Sequence, residues 1–274
     1  MDFRKVMYVV LIVVCVASIA IGVYSQVTKP VRSASTTNES TEILYEGKTQ
    51  ETLKKEFYDM FDNQIHIGDF DTSAINKGEA DKEIVYTVFS LKEKKGDYDL
   101  DITFPKININ NEIGNKFNQT TQEIFANKAN EILAGNTDNT IYTVSYVGYI
   151  NGDIMSIIIS ATLKEGVSPQ RAVVQTYNYN LKTEQEVSIE DVLEAKGISM
   201  KELSNKVDVQ IKEAIKQANE IQIAGYNVYK RDINDDMYKA ENVSAFYVGE
   251  DGEIYIVYAY GNNGFTTEMD IIVV

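Results

Sequence analysis

Near its start the chain carries nineteen residues, Val6 to Tyr24, without a single charge; beyond them its apolar positions become sparse and periodic. Crossing a hydrocarbon core of ~30 Å takes about 20 apolar helical residues. The run therefore predicts a single N-terminal transmembrane helix, assigned to residues 6–27. Residues 28–48 begin with Pro, Ser and Thr and few apolar positions (TKPVRSASTTNESTE), the pattern of a flexible stalk. Leu53, Phe57, Met60 and Phe61 then recur at helical spacing and predict a short amphipathic helix. The polar connector GDFDTSAINKGEADK completes a segment spanning 49–82.

From residue 83 the period shortens to two. Ile84, Tyr86, Val88 and Ser90 alternate with Val85, Thr87, Phe89 and Leu91, and a turn at Lys94-Lys95-Gly96-Asp97 leads into YDLDITF. Ile113, Phe117, Ile124 and Leu133 predict a helix over 109–133, ended by Gly135. Two apolar runs, IYTVSYVGYI and DIMSIIISATL, flank Asn151-Gly152, which predicts a hairpin closed by a type I′ turn. Another strand covers 171–181. Ser188 and Ser199 stand as helix N-caps, the second in a capping box with Glu202 that opens a helix from Met200 to about Ile223. The chain closes with SAFYVG, a turn at Glu250-Asp251-Gly252, EIYIVYAY, a loop Gly261-Asn262-Asn263-Gly264 and TTEMDIIVV. Hairpins interleaved with two long helices predict an α+β domain over 83–274, with an antiparallel sheet covered on one face by both helices.

Charge decides which way the first segment points only weakly, since Arg4 and Lys5 are matched by Lys29 and Arg32. Length asymmetry is the stronger signal: a short tail, residues 1–5, precedes the apolar run and a long polar region follows. This is an export arrangement. The expectation is a single-pass protein of the cell membrane with its C-terminal domain extracytoplasmic, the segment either retained as an anchor or cleaved near Ser25. Cys15, the only cysteine, lies within the run between Val14 and Val16 and reads as a small membrane-facing hydrophobe, so the exported region folds without a disulfide. A net charge of −15 argues against sequence-independent binding of nucleic acid and against adsorption to anionic lipid. Eighteen Tyr, ten Phe and no Trp, with abundant Asn, Ile and Lys, suit a low-GC Gram-positive bacterium, in which the triplets at Asn38, Asn118 and Asn242 are chance matches to a glycosylation signal.

Candidate chemistry is thin. His66, the sole histidine, sits between Ile65 and Ile67 with no second histidine or nearby cysteine, so it makes no zinc site. There is no Gly-x-Ser-x-Gly elbow, and a Ser-His-Asp triad would have to recruit that one residue. Asp97, Asp99 and Asp101 share a strand face, but Ile102 and Asn108 occupy the Gly and Glu positions of a calcium loop. Met237 and Val243 break the same pattern in the stretch Asp232 to Asp236. No catalytic, cofactor or metal residue is therefore assigned, and an enzyme is not expected. Paired carboxylates are available, which keeps a carboxylate-based cell-wall hydrolase open as an alternative. Loop aromatic and amide side chains remain as a recognition surface: Tyr226, Tyr229 and Tyr238 between the long helix and the last strands, and Asn262, Asn263 and Phe265 in the glycine-bounded loop. The competing reading is that these tyrosines pack their loop onto the sheet.

Several signatures occur together: Phe104-Pro105-Lys106-Ile107, the Asn151-Gly152 hairpin, the Gly166 to Pro169 turn, TYNYNLKT leading to IEDVL, and FYVGEDGEIYIVY. In this order they resemble the bacterial extracytoplasmic domain family shared by the ectodomain of the RsiV anti-sigma factor and the N-terminal region of the PdaC peptidoglycan deacetylase. The resemblance covers about 83–274. It implies an exported α+β binding domain whose ligand is an envelope protein, a lysozyme-like protein or peptidoglycan. The five-residue tail is expected to be too short for sigma-factor binding, and no deacetylase domain is expected. Val167 and Ser168 fill a turn that is often Gly-rich with a histidine in relatives, so no functional residue is carried over. The functional expectation is a membrane-anchored, non-enzymatic binding module of the cell envelope. A structural envelope or sporulation protein that pairs with another membrane protein is a further alternative.

Overall fold

The computed structural model describes residues 48–135, 138–220, 229–259 and 267–274. The apolar run Val6 to Tyr24 lies outside them; no helix among the described residues is long and apolar enough to cross a membrane. Local signals act where the sequence places them. Thr49 caps α1 (Gln50–Asp59) by accepting from the Thr52 N–H, and Leu53 and Phe57 are its buried face. Ser188 and Asp191 form a capping box on α4 (Ile189–Ala195). At α5 (Met200–Glu220) the Glu202 N–H donates to Ser199 Oγ at 3.2 Å and the Ser199 N–H returns to the Glu202 carboxylate at 2.7 Å.

The larger sheet runs β2 (Val85–Lys95), β3 (Tyr98–Ile107), β4 (Thr140–Asn151), β5 (Ile154–Lys164), β6 (Arg171–Asn180) and β7 (Gln185–Glu186), with β1 (Ile65–Ile67) beside β4. It is mixed, a correction to the antiparallel sheet expected: β3 pairs with β4 in parallel, as does β1. The reason is the helical crossover between β3 and β4, α2 (Glu112–Thr121) running through a π-helical turn (Gln122–Ala126) into α3 (Asn127–Leu133). That turn also changes the buried face. Its wider winding brings Phe125 and Ile132 into the core in place of the expected Ile124 and Leu133, which are 39% and 38% exposed. One edge of β4 is shared, first by β3 up to Val144 and then by β1 from Gly148. Asn63 fills the gap, its N–H donating to the Tyr146 carbonyl at 2.9 Å and its Oδ1 accepting from the Tyr146 N–H at 3.1 Å. At the β4–β5 hairpin only Gly152 has positive φ, +55°, so the two-residue turn has the type II′ pattern and not the expected I′.

A second, three-stranded antiparallel sheet is made by β8 (Phe246–Val248), β9 (Ile254–Ala259) and β10 (Met269–Val273). Its free β8 edge is bonded by side chains on the face of the larger sheet. Ser156 Oγ accepts from the Val248 N–H at 3.0 Å, Thr176 Oγ1 accepts from the Phe246 N–H at 3.1 Å, and Asn178 Nδ2 donates to the Phe246 carbonyl at 2.9 Å. Alternate residues of the small sheet consequently enter two apolar clusters. Phe246, Val248, Ile254, Ile256 and Ile272 pack with Leu203, Val207 and Ile211 of α5, while Val257, Met269 and Ile271 pack with Leu53 and Phe57 of α1 and with Val147 and Ile158. The two long helices therefore do not share a sheet face, a correction to the single helix-covered face expected from the sequence. The helical crossover covers the larger sheet, through Phe117, Phe125 and Ile132, and α5 covers the smaller one.

Candidate binding cleft

Four elements, α1, β4, the β8–β9 hairpin and β10, enclose a cleft of about 410 Å³. Leu53, Glu56 and Phe57 come from successive turns of α1, with Met60 at its C-cap; Tyr149 comes from β4; Tyr247, Gly249, Glu250, Asp251 and Tyr255 come from the β8–β9 hairpin; Ile271 comes from β10. Strand alternation selects these side chains. In β4 the even positions Tyr142, Val144 and Tyr146 face the crossover helix, which leaves Val147 and Tyr149 on the opposite face. Tyr247 and Tyr255 are direct cross-strand partners. Leu53, Phe57, Tyr247 and Ile271 are buried and form an apolar floor, whereas Glu56, Glu250 and Asp251 are exposed and form a rim.

The aromatic side chains continue as a row. Tyr247 and Tyr255 stack with ring centroids 4.9 Å apart and planes 6° from parallel, Tyr149 lies 6.3 Å from Tyr247 at 20°, and His66 lies 5.5 Å from Tyr149 at 27°. His66 Nε2 is 2.9 Å from a carboxylate oxygen of Asp62. Polar contacts hold the rim in place: the Tyr255 hydroxyl donates to Asp251 at 2.6 Å, the Glu253 N–H donates to Asp251 Oδ1 at 3.0 Å, and Asn151 Nδ2 donates to the Glu250 carbonyl at 3.0 Å. Gly249 is required by proximity, since a Cβ there would stand 2.7 Å from Tyr255 Cε2 and 2.8 Å from Asp251 Oδ1. Burial pushes the Tyr149 phenol up to about 12, and the nearby charges of Asp62, Glu250 and Asp251 push it the same way. The negative potential of the rim thus reaches into the aromatic row.

Of the loop residues singled out from the sequence, Tyr226, Asn262, Asn263 and Phe265 lie outside the described residues. Tyr229 is half-buried against the α4 and α5 cluster, with the Arg231 guanidinium 6.0 Å from its ring centroid. Tyr238 is buried, its hydroxyl donating to Asp270 at 2.9 Å and its ring set edge-on to Tyr258 at 5.3 Å. Neither lines the cleft; Tyr238 follows the competing reading and packs inward. The tyrosines that do line it are strand residues. Their signal was in the sequence all the same: the turn at Glu250 to Gly252 sets Tyr247 opposite Tyr255, and strand parity puts Tyr149 on the face away from Tyr146. Among the described residues no group of His, Cys, Asp and Glu side chains is arranged to hold a metal ion. Asp99 and Asp101 pair instead with Lys94 and Lys92 across β2–β3.

Compared with known proteins, the sequence matches no family model and no curated protein. Among solved structures, the chain is similar to a DUF3298 family protein from Pseudomonas aeruginosa, at 10% identity and a TM-score of 0.39, over 69% of this chain and 86% of that one. It is also similar to a member of the DUF3298 family from Bacteroides fragilis, at 12% identity and a TM-score of 0.37, over 69% of this chain and 89% of that one.

Proposed function

We propose that this chain is a membrane-anchored, extracytoplasmic, non-enzymatic binding module of the bacterial cell envelope, and that it holds its ligand in the cleft between α1, β4 and the β8–β9 hairpin. The observation that carries the reading is the cleft's construction, a buried apolar floor under an exposed carboxylate rim, which suits recognition of an amphipathic group. The apolar run Val6 to Tyr24 supports the anchor, and the resemblance of residues 83–274 to the RsiV and PdaC domains supports an envelope protein or wall polymer as ligand.

The test uses the full-length chain against lysozyme, purified peptidoglycan and cross-linked envelope proteins. Retention of one of these that is lost in Tyr149→Ala and in Glu250→Lys, both checked for an unchanged melting transition, is the expected result. Retention of none of them, or retention equal in both variants, would sink the reading. Release of muropeptides that disappears in Glu250→Gln would replace binding by hydrolysis.

A further inference from the structure

The cleft's chemistry narrows its ligand, on the reading just given. Three carboxylates and no basic side chain stand among its described lining residues. Glu56 is paired with Lys48 at 2.9 Å. Asp251 accepts from a phenol and a backbone N–H, neither of which neutralises its charge, and the Glu250 side chain points into solvent from an exposed hairpin. Below this rim, the half-buried side chains of Met60, Tyr149 and Tyr255 offer apolar surface above the buried Leu53, Phe57 and Ile271.

A sugar ring would need an open aromatic face to stack on. Each ring of the row is already stacked on a neighbour, Tyr149 on His66 and Tyr247, and Tyr247 on Tyr255, and Tyr247 is 4% exposed. What remains is the half-buried apolar lining and a rim of anionic acceptors. That combination suits a ligand with a methylene stem and a cationic head, because the stem removes apolar surface from water while the head stays at the carboxylates. The chain's net charge of −15 favours the approach of such a ligand over long range.

We propose that the cleft binds the ω-ammonium side chain of a lysine-type residue in a basic peptide, the stem lying against Met60, Tyr149 and Tyr255 and the ammonium group between Glu250 and Asp251.

The probes are tetralysine, its Nε-acetylated form and chitotetraose, titrated into the full-length chain by calorimetry at low and raised salt. Tetralysine is expected to bind, more weakly at raised salt, and the acetylated peptide to lose most of that binding. The Glu250→Gln/Asp251→Asn variant should weaken tetralysine binding about tenfold, as expected for two solvent-exposed charge pairs. Glu250→Lys, at an exposed position where folding is not at stake, should weaken it at least as much. Equal binding of the acetylated peptide, equal binding by the variants, binding of chitotetraose in place of tetralysine, or no binding of either would each overturn the proposal. Failure here with cleft-dependent retention of lysozyme, peptidoglycan or an envelope protein intact would remove the ligand class and leave the binding function standing.

Discussion

Gln50 and Gln210, one from α1 and one from α5, bind the same free edge of β10. The Gln50 amide accepts from the Ile271 N–H at 2.9 Å and donates to the Ile271 carbonyl at 2.8 Å; Gln210 does the same for Val273, at 3.1 and 2.7 Å. Each side-chain amide substitutes for a neighbouring strand, so this edge is closed to pairing with another chain. The same contact sets α1 against β10 and so places Leu53 and Phe57 in the floor of the cleft.

Replacing Gln210 by Leu keeps the helix and its bulk but strips Val273 of both partners. The expected cost is about 1–3 kcal/mol for the unpaired backbone groups, read by denaturant unfolding. Concentration-dependent association should appear as the edge opens, and light scattering would detect it. An unchanged midpoint and no association would show that the edge needs no cover.

A second prediction concerns Asp270, which is fully buried on β10 and held by a bidentate contact from Arg231 at 2.8 to 2.9 Å, with the Tyr238 hydroxyl as a further donor. Arg231→Met leaves a buried carboxylate without its counter-charge. Removing one member of such a pair costs about 3–5 kcal/mol. Arg231→Met combined with Asp270→Leu should recover much of that loss, and urea melts of the two variants separate the cases.

Gly249→Ala adds a methyl group into contact with Tyr255 and Asp251. Strain of this kind costs about 1–3 kcal/mol. Because the displaced groups are the rim itself, binding should fall by more than the change in stability accounts for. A calorimetric titration beside a thermal melt tests whether the two effects part.

Alkaline pH should unfold the domain through its tyrosines. Tyr149 titrates near 12, and burial pushes Tyr142 and Tyr258 higher still, whereas an unfolded tyrosine titrates at about 10. The native state therefore holds protons that the unfolded state releases. The resulting stability is fully present below pH ~10 and is lost as pH rises through the native values. Phenolate absorbance from these residues should appear together with loss of circular dichroism, and Tyr149→Phe should shift that midpoint upward. Phenolate appearing well before unfolding would contradict the assignment.

How far the fold could be read from the sequence depended on the range of the interactions concerned. The capping serines Ser188 and Ser199, the amphipathic helix at Leu53 and Phe57, and the hairpin at Gly152 act within a few residues of themselves, so their signals are local. The π-helical turn that exchanges Ile124 for Phe125 was not legible, because an ideal helical period fits either residue and only packing against the sheet decides between them. The parallel pairing of β3 with β4 is a matter of topology, and strand patterns do not encode the partner.

The sequence by itself determined the element types, most of the hairpin turns, the α+β class and the acidic, tyrosine-rich character of the chain, since these follow from periodicity, capping and composition. The tertiary structure alone decided that the described strands form two sheets, with the β8 edge docked on Ser156, Thr176 and Asn178. It also decided that Tyr149, Tyr247 and Tyr255 meet over Phe57 while Tyr238 turns inward. The reason is physical: an edge strand's free N–H and C=O groups can be satisfied by another strand or by polar side chains, and which of these happens is settled by residues distant in the chain. The cleft is a consequence of that choice.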